Sequence, residues 1–473
     1  MGQPAFWAIL ACAALTRFVG LLHHSTMPDE AFTFFIASHP LSGIVVLLTT
    51  GDFHPPLVYV LGHGLFALTS RVYLFRIATA LIGVVGVAAT YALGRRIIGS
   101  WGPLAALLIA ISPVLAFFDG FFRMYAMLWS LAMLSWACLL WALDEPRRGR
   151  RWFAYALIVT ALLYTQYLAF FTVAGQMVYM ALVHRRTPGF WLACVGALAA
   201  FVPWLPIFRE QYPLGGTAFN ALAGHFWELL GAPPVLLVDG LPPTIEYAGV
   251  TAAALWLVIV GGLAVATAQR RFEALALFAP IALQVAYSLA SGKLLLGQRY
   301  LLQAIVPLVF FIVIFCDWLQ SRRLRPLAIA ILTSLFVMMA TATIDKHFLS
   351  SYMPVDWTEY GKFLDARMKP GDGVVFDGSM VYYVLVGTKA TRDRPMFLVT
   401  NQAEAARYGA QAARLPRIWY IGYQTELPDP NRLAFNALLR SHPRRVSWRS
   451  TEAAYGDAVV TTLFLPAART RGP

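Results

Sequence analysis

Met27-Pro28-Asp29-Glu30-Ala31 places two adjacent carboxylates directly after the first long apolar run. A carboxylate partly withdrawn from water is suited to accept a proton, because burial disfavours its charged form. The same pair would also open a helix at Ala31, where an Asp satisfies backbone N–H groups and meets the positive end of the helix dipole. Both readings stand at the level of spacing. Asp52-Phe53-His54-Pro55-Pro56-Leu57 follows, with two prolines that fix an extended entry and a helix start and so aim the His54 imidazole at a defined place. In Asp119-Gly120-Phe121-Phe122-Arg123-Met124-Tyr125 an acid and a base stand four apart. They are either a local ion pair or a second catalytic carboxylate and an anion contact. Lys293 and Arg299-Tyr300 bracket another short loop, where basic groups beside a membrane suit a lipid phosphate or simply snorkel. Arg17 near the end of the first run is read as snorkelling or pairing.

The elements that must hold these residues are membrane helices. Of 473 residues, 59% are hydrophobic and only 13% charged, with a mean hydropathy of +0.63. Ordinary soluble domains run about 45–50% apolar and about 25% charged. The excess is local: residues 1–344 carry 20 Lys+Arg and 12 Asp+Glu, about 9% charge, whereas 345–473 carry 17 and 12, about 22%. A single soluble enzyme, a disordered chain and a nucleic-acid binder relying on its net +13 are thereby excluded. Thirteen basic residues sit in tight groups at the ends of apolar runs: Arg95–Arg96, Arg147–Arg148, Arg150–Arg151, Arg185–Arg186, Arg270–Arg271, and Arg322, Arg323 and Arg325. This is the pattern of cytoplasmic loops. Arg outnumbers Lys 32 to 5, as in proteins of GC-rich bacterial genomes.

Runs able to cross the bilayer, roughly 17–25 residues each, are expected near 5–22, 72–94, 102–118, 123–143, 189–207, 247–268, 273–291, 301–318 and 326–344. The apolar stretch 152–183 is too long for one helix and is split at Tyr164-Thr165-Gln166-Tyr167, where polar residues imply a turn against protein or water. That makes eleven spans. Residues 55–70 contain Gly62, His63 and Gly64 and read as an interfacial or re-entrant helix. If they stay outside, the arginine groups are all cytoplasmic and Asp29, Glu30, Asp52, Asp119, Lys293 and Arg299 share the outer side. Two domains follow: 1–344 in the membrane, with juxtamembrane helices in a first outer loop over 23–71, and 345–473 outside. In the second, strands near 374–376, 418–421 and 458–465 alternate with helices near 356–368, 402–412 and 430–440, the signature of a small α/β domain.

In order along the chain stand Arg17, PDEA, HPPLVYV, a run ending in GRRIIG, ISP before the Asp119–Tyr125 loop, and QRYLLQAIVP. This ordered set resembles the GT-C glycosyltransferases of the family 39 type, the bacterial relatives of protein O-mannosyltransferases and lipid A aminoarabinose transferases, over roughly residues 5–345. The resemblance implies an α-helical polytopic membrane fold with about 11 spans. It further implies transfer of a sugar from a polyprenyl-phosphate donor, with inversion, to a glycan, lipid or protein acceptor at the outer face of a bacterial inner membrane. Asp29 maps onto the family's catalytic base, with Glu30 beside it, and Asp119 onto a second acid. His54, Arg123, Tyr125, Lys293, Arg299 and Tyr300 are the expected substrate contacts. The resemblance makes no cofactor certain and leaves metal dependence open; if a divalent cation such as Mg or Mn takes part, Asp29 and Asp119 are its ligands. The expected partners are the lipid-linked donor, membrane lipids and the acceptor, with no nucleic acid. A lipid or sugar transporter would instead show inverted repeats or matching broken helices, and a membrane scaffold gives no reason for acids and bases to gather on one face.

Overall fold

Runs of Ala, Leu, Val and Ile with few charges can satisfy their backbone groups within a bilayer only as helices, and helices dominate. The computed structural model of the protein describes all residues except 1–2, 20, 22–25, 70, 215–225, 242–244, 246–248, 293–294, 347–356, 387–388, 390, 423–428, 450–458 and 466–473. Contacts divide the chain into two compact units, Met1–Leu22 with Ile36–Ser350, and His23–Phe35 with Ser351–Pro473. The segment expected to begin the first outer loop therefore groups with the C-terminal part. Inside that unit the Phe32 and Phe35 rings lie 4.7 and 5.0 Å from the Tyr383 ring.

The larger unit runs through α1 (Gln3–Phe18), α3 (Leu41–Gly51), α4 (Leu57–Phe66), α5 (Val72–Ile97), α6 (Gly102–Ala110), α7 (Pro113–Asp119), α8 (Tyr125–Asp144), α9 (Gly149–Leu163), α10 (Ala169–Val183), α11 (Pro188–Phe201), α12 (Leu205–Leu214), α13 (Phe226–Leu237), α14 (Gly249–Ala268), α15 (Phe272–Ser291), α16 (Ile305–Ser321) and α17 (Arg325–Ile344); α2 (Pro28–Ala37) bridges the unit boundary. Each of the eleven expected spans carries a helix. Among the described residues, seven helices are long and apolar enough to cross a membrane alone, and an eighth if the two arms of a bent pair, Gly99–Ala110 and Pro113–Asp119, count together. The 57° bend between those arms has a local cause. Pro113 cannot continue the hydrogen-bond ladder, and Ser112 restarts it by accepting from Leu115 N–H. Helices α1, α9 and α10 have 16, 15 and 15 residues and fall short of a span by themselves. The long apolar stretch breaks between α9 and α10, where the polar Tyr164–Tyr167 segment stands, and Leu57 N–H donates to the Tyr164 carbonyl at 3.0 Å. The ten-residue α4 starts on that break.

The C-terminal unit is an α/β domain: α18 (Trp357–Asp365), β1 (Gly373–Asp377), α19 (Ser379–Leu385), β2 (Met396–Val399), α20 (Gln402–Ala412), β3 (Ile418–Gly422), α21 (Leu433–Ser441), β4 (Arg444–Arg449) and β5 (Val460–Leu465). The sheet order is β2-β1-β3-β5-β4, with β1 parallel to both neighbours and β5 antiparallel to β3 and β4. Alternate residues of β1 feed opposite cores. Val374 and Phe376 pack with Trp357, Leu364 and Trp419, while Val375 packs with Ala405, Tyr420 and Leu438. Sequence reading missed β2, which is four residues long, and β4, an Arg-rich edge strand that offers no apolar run.

Candidate active site

The bent α7 ends on Asp119, which is completely buried. Its Oδ2 accepts from Arg17 Nε of α1 at 2.8 Å, and its Oδ1 from Trp129 Nε1 of α8 at 2.8 Å. Arg17 Nη1 continues to the carbonyls of Ala13 and Ala110, at 3.3 and 2.9 Å. The pair fits because α5 presents Gly83 and Gly86 there. A Cβ at Gly83 would strike the Asp119 carboxylate and Arg17 Nε, and one at Gly86 would strike Trp129 and Ser130. Asp119 thus takes its partner from a distant helix rather than forming a pair within its own loop.

A second buried network surrounds His54. Asp52 Oδ1 lies 2.7 Å from His54 Nδ1 and accepts from Phe53 N–H at 2.8 Å, while Asp52 Oδ2 accepts from Tyr59 OH. Arg123 Nη1 donates to Tyr59 OH at 3.0 Å. Burial pushes the Asp52 carboxyl up, but His54, Arg123 and the hydrogen bonds from His54 and Tyr59 outweigh it and bring its pKa down to about 2. The prolines set the backbone, and it is Asp52 that fixes the imidazole. Sequence reading selected His54 and Arg123 but not Asp52 or Tyr59 as site residues; the signal was an Asp two residues before a His and a Tyr one helical turn inside α4.

Beside His54 opens a cavity of about 360 Å³, walled by the loop at Phe53, the α9–α10 break, α10, α12, α15 and the loop ending at Tyr300. His54 and Tyr300, 246 positions apart in sequence, both line it. Its walls are mostly aromatic, including Phe170, Phe171, Phe208 and Tyr287, with Gln166 and Gln211 among them. Gln211 is fully engaged: its amide nitrogen donates to the carbonyls of Leu48 at 2.6 Å and His54 at 3.4 Å, and its oxygen accepts from Tyr167 OH. On the Tyr300 side, Gln298 Nε2 donates to the Val235 carbonyl at 2.7 Å and to Asp239 Oδ2 at 2.6 Å. Buried Lys346 holds the same Asp239 oxygen at 2.5 Å. This anchor positions the turn carrying Arg299, whose guanidinium lies 5.2 Å from the Tyr300 ring centre. Arg299 is half-buried, and Lys293 lies outside the described residues. Tyr125 is buried, edge-on to Phe118 at 5.0 Å.

Asp29 and Glu30 belong to the other unit. Helix α2 opens at Pro28, with Ala31 N–H donating to the Met27 carbonyl at 2.8 Å. The two acids therefore occupy the second and third helical positions and are not the cap that an opening at Ala31 implied. Glu30 is fully buried and Asp29 half-buried. No cluster of three or more His, Cys, Asp or Glu side chains able to hold a metal occurs among the described residues. Asp119 Oδ1 and Oδ2 each accept a single N–H donor, which leaves a further lone pair on each oxygen.

Solved structures share this fold. The chain is similar to the crystal structure of ArnT from Cupriavidus metallidurans bound to undecaprenyl phosphate, at 14% identity over 96% of this chain and 97% of that one, TM-score 0.55. It is also similar to the oligosaccharyltransferase AglB of Archaeoglobus fulgidus in complex with an inhibitory peptide and a dolichol-phosphate, at 14% identity over 88% and 69%, TM-score 0.54. The Archaeoglobus fulgidus oligosaccharyltransferase complex with Zn and sulfate gives 13% identity over 87% and 67%, TM-score 0.56. No protein-family model matches the chain, and no curated protein matches it in sequence.

Proposed function

We propose that this protein is an inverting glycosyltransferase that moves a sugar from a polyprenyl-phosphate carrier to an acceptor hydroxyl or phosphate at the outer face of a bacterial inner membrane. The observation that carries the reading is the aromatic cavity bounded by His54 and Tyr300, in a fold whose solved neighbours bind undecaprenyl phosphate or a dolichol-phosphate. The acceptor oxygen attacks the anomeric carbon as the bond from that carbon to the carrier phosphate breaks. The electron pair leaves on the phosphate, and the acceptor proton passes to Asp29, with Glu30 as its neighbour. A phosphate leaving group needs electrostatic stabilisation more than protonation, and Arg299 with Lys293 supplies it. The Asp52–His54–Tyr59–Arg123 network holds His54 at the cavity wall. Asp119, with both oxygens engaged, acts as a positioning residue that ties α7 to α1 and α8.

Purified full-length protein in vesicles charged with sugar-linked undecaprenyl phosphate tests this. The expected result is release of undecaprenyl phosphate in step with formation of an α- or β-glycoside opposite in configuration to the donor. Retention of configuration, or no release with any sugar-charged carrier, would overturn it.

A further inference from the structure

Two cavities open at the ends of membrane helices on the side that carries the arginine groups, and they differ in how their charge is spent. The one between α5 and α8 measures about 360 Å³ and has Arg96 and Asp144 in its wall, paired at 2.6 Å. The one between α14 and α16 measures about 610 Å³, and its wall includes Ala264, Val265, Ala268, Gln269, Trp318 and Arg322. Gly262 lets α14 lie against the Phe311 backbone of α16, and the cleft opens beyond that contact, toward the helix ends.

In this second cleft the charge is not neutralised from within. Arg270, Arg271, Arg322, Arg323 and Arg325 gather at its end, whereas residues 249–330 contain two acids, Glu273 and Asp317. Asp317 accepts from Arg271 at 3.1 Å and from Trp101 Nε1 at 2.8 Å. Among the described residues that is the one ion pair of these five arginines. Arg322 is exposed and lies over the Trp318 ring, 5.6 Å from its centre. Both turns also place an arginine where the backbone is left-handed, Arg270 at φ 53° and Arg323 at φ 63°. Glycine or asparagine ordinarily takes that position after a helix, so a cation is kept there at a conformational cost. Helix C-termini attract cations through their dipoles, and arginines mark cytoplasmic loops in general. Those two effects account for the charge. Neither accounts for a cleft walled by small side chains and a tryptophan.

The position of the cleft says what fills it. Both α14 and α16 are long and apolar enough to cross a membrane, and Ala264 and Ala268 are exposed on the cleft side, where lipid meets them. An acyl chain packs on alanine and valine, an interfacial tryptophan sits at headgroup level, and a guanidinium fork receives a phosphate.

We infer that the cleft between α14 and α16 binds an anionic glycerophospholipid, with its phosphate on Arg322 and an acyl chain along Ala264 and Ala268. The inference stands on the membrane helices alone and is independent of the transfer reaction.

Native mass spectrometry of the full-length protein in detergent, titrated with phosphatidylglycerol, phosphatidylcholine or undecaprenyl phosphate, tests it. Wild type is expected to take one phosphatidylglycerol about tenfold more tightly than phosphatidylcholine. Arg322→Gln lowers that affinity about fivefold, the worth of one arginine beside anionic lipid. Arg150→Gln, which removes the same charge from outside either cleft, leaves it within about twofold. Ala268→Phe fills the cleft from its exposed wall with the charge in place, lowers the affinity as far, and decides the matter should the Arg322 variant not fold. Neither cleft variant weakens undecaprenyl phosphate by more than about twofold. Equal wild-type affinities for the two phospholipids, an Arg150→Gln loss as large as that of Arg322→Gln, or unchanged binding in both cleft variants would overturn the inference. So would an equal loss on undecaprenyl phosphate, which would make the occupant a polyprenyl phosphate. A change of subunit number in Ala268→Phe would make the cleft a protein contact and overturn it as well.

Discussion

Arg17 and Asp119, 102 positions apart, form an ion pair in which neither side chain has any exposed surface, with Nε and Oδ2 2.8 Å apart. Removing one partner strands the other charge away from water, a loss of about 3–5 kcal/mol, whereas exchanging both for apolar residues of similar volume is often close to neutral. Arg17→Met and Asp119→Leu should each lower the thermal unfolding temperature of the detergent-solubilised protein sharply. The double variant should recover most of that loss. Additive losses in the double variant would show that the two charges are not coupled.

The pair depends on a residue with no side chain. Gly83→Val should destabilise the protein as strongly as a single charge deletion, because its Cβ would fall on the Asp119 carboxylate. Gly64→Ala, where a Cβ meets nothing within 4 Å, should be neutral or slightly stabilising by the same measurement.

Asp29→Asn should reduce turnover about 10²–10⁴-fold if Asp29 is the base, with little change in unfolding temperature. The substitution keeps size, and the charge it removes from the second residue of α2 interacts with the helix dipole by about 0.3–1 kcal/mol. Single-turnover assays with sugar-charged carrier measure the rate. Glu30→Gln should cost less; a larger loss there would move the base to the buried neighbour.

The arginine groups predict an orientation. A Cys at Thr49 should react with impermeant thiol reagent from outside intact cells, and a Cys at Arg148 only after the cytoplasmic side is opened. Reaction at Thr49→Cys from the cytoplasm alone would reverse the placement of the first loop.

Asp377 ends β1, and burial raises its pKa to about 6, with Asp429 adding to the rise and Tyr420 and Arg432 opposing it. A carboxyl whose folded pKa lies above its unfolded value binds its proton more tightly when folded. Stability of the C-terminal domain should therefore fall as pH rises from about 4 to about 6 and stay low above that. Hydrogen exchange of β1 and β3 amides, corrected for intrinsic rates, should show weaker protection at pH 7.5 than at pH 5. Asp377→Asn should remove the difference.

The membrane fold was legible because its cause is one-dimensional. A bilayer excludes unpaired backbone groups, so every crossing announces itself as an apolar run, and the excess of Arg marks the loops between. The break in 152–183 was readable for the same reason, as four polar residues in lipid-length sequence. The α/β domain was readable where strands are fully buried, as at Val374–Phe376 and Ile418–Ile421, and lost at the exposed edge strand Arg444–Arg449.

The pairing of side chains was not written in the sequence. Spacing offered Arg123 to Asp119, yet the folded chain gives Asp119 to Arg17 and Trp129, and Arg123 to Tyr59. A short loop leaves several partners within reach, and only helix packing, with Gly83 and Gly86 admitting close approach, selects among them. The same holds for the cavity. His54 and Tyr300 were singled out separately by residue type, but their shared wall exists only because α10, α12 and α15 converge there. Hydrophobic periodicity sets which faces turn inward, whereas the contacts inside depend on which distant segments meet.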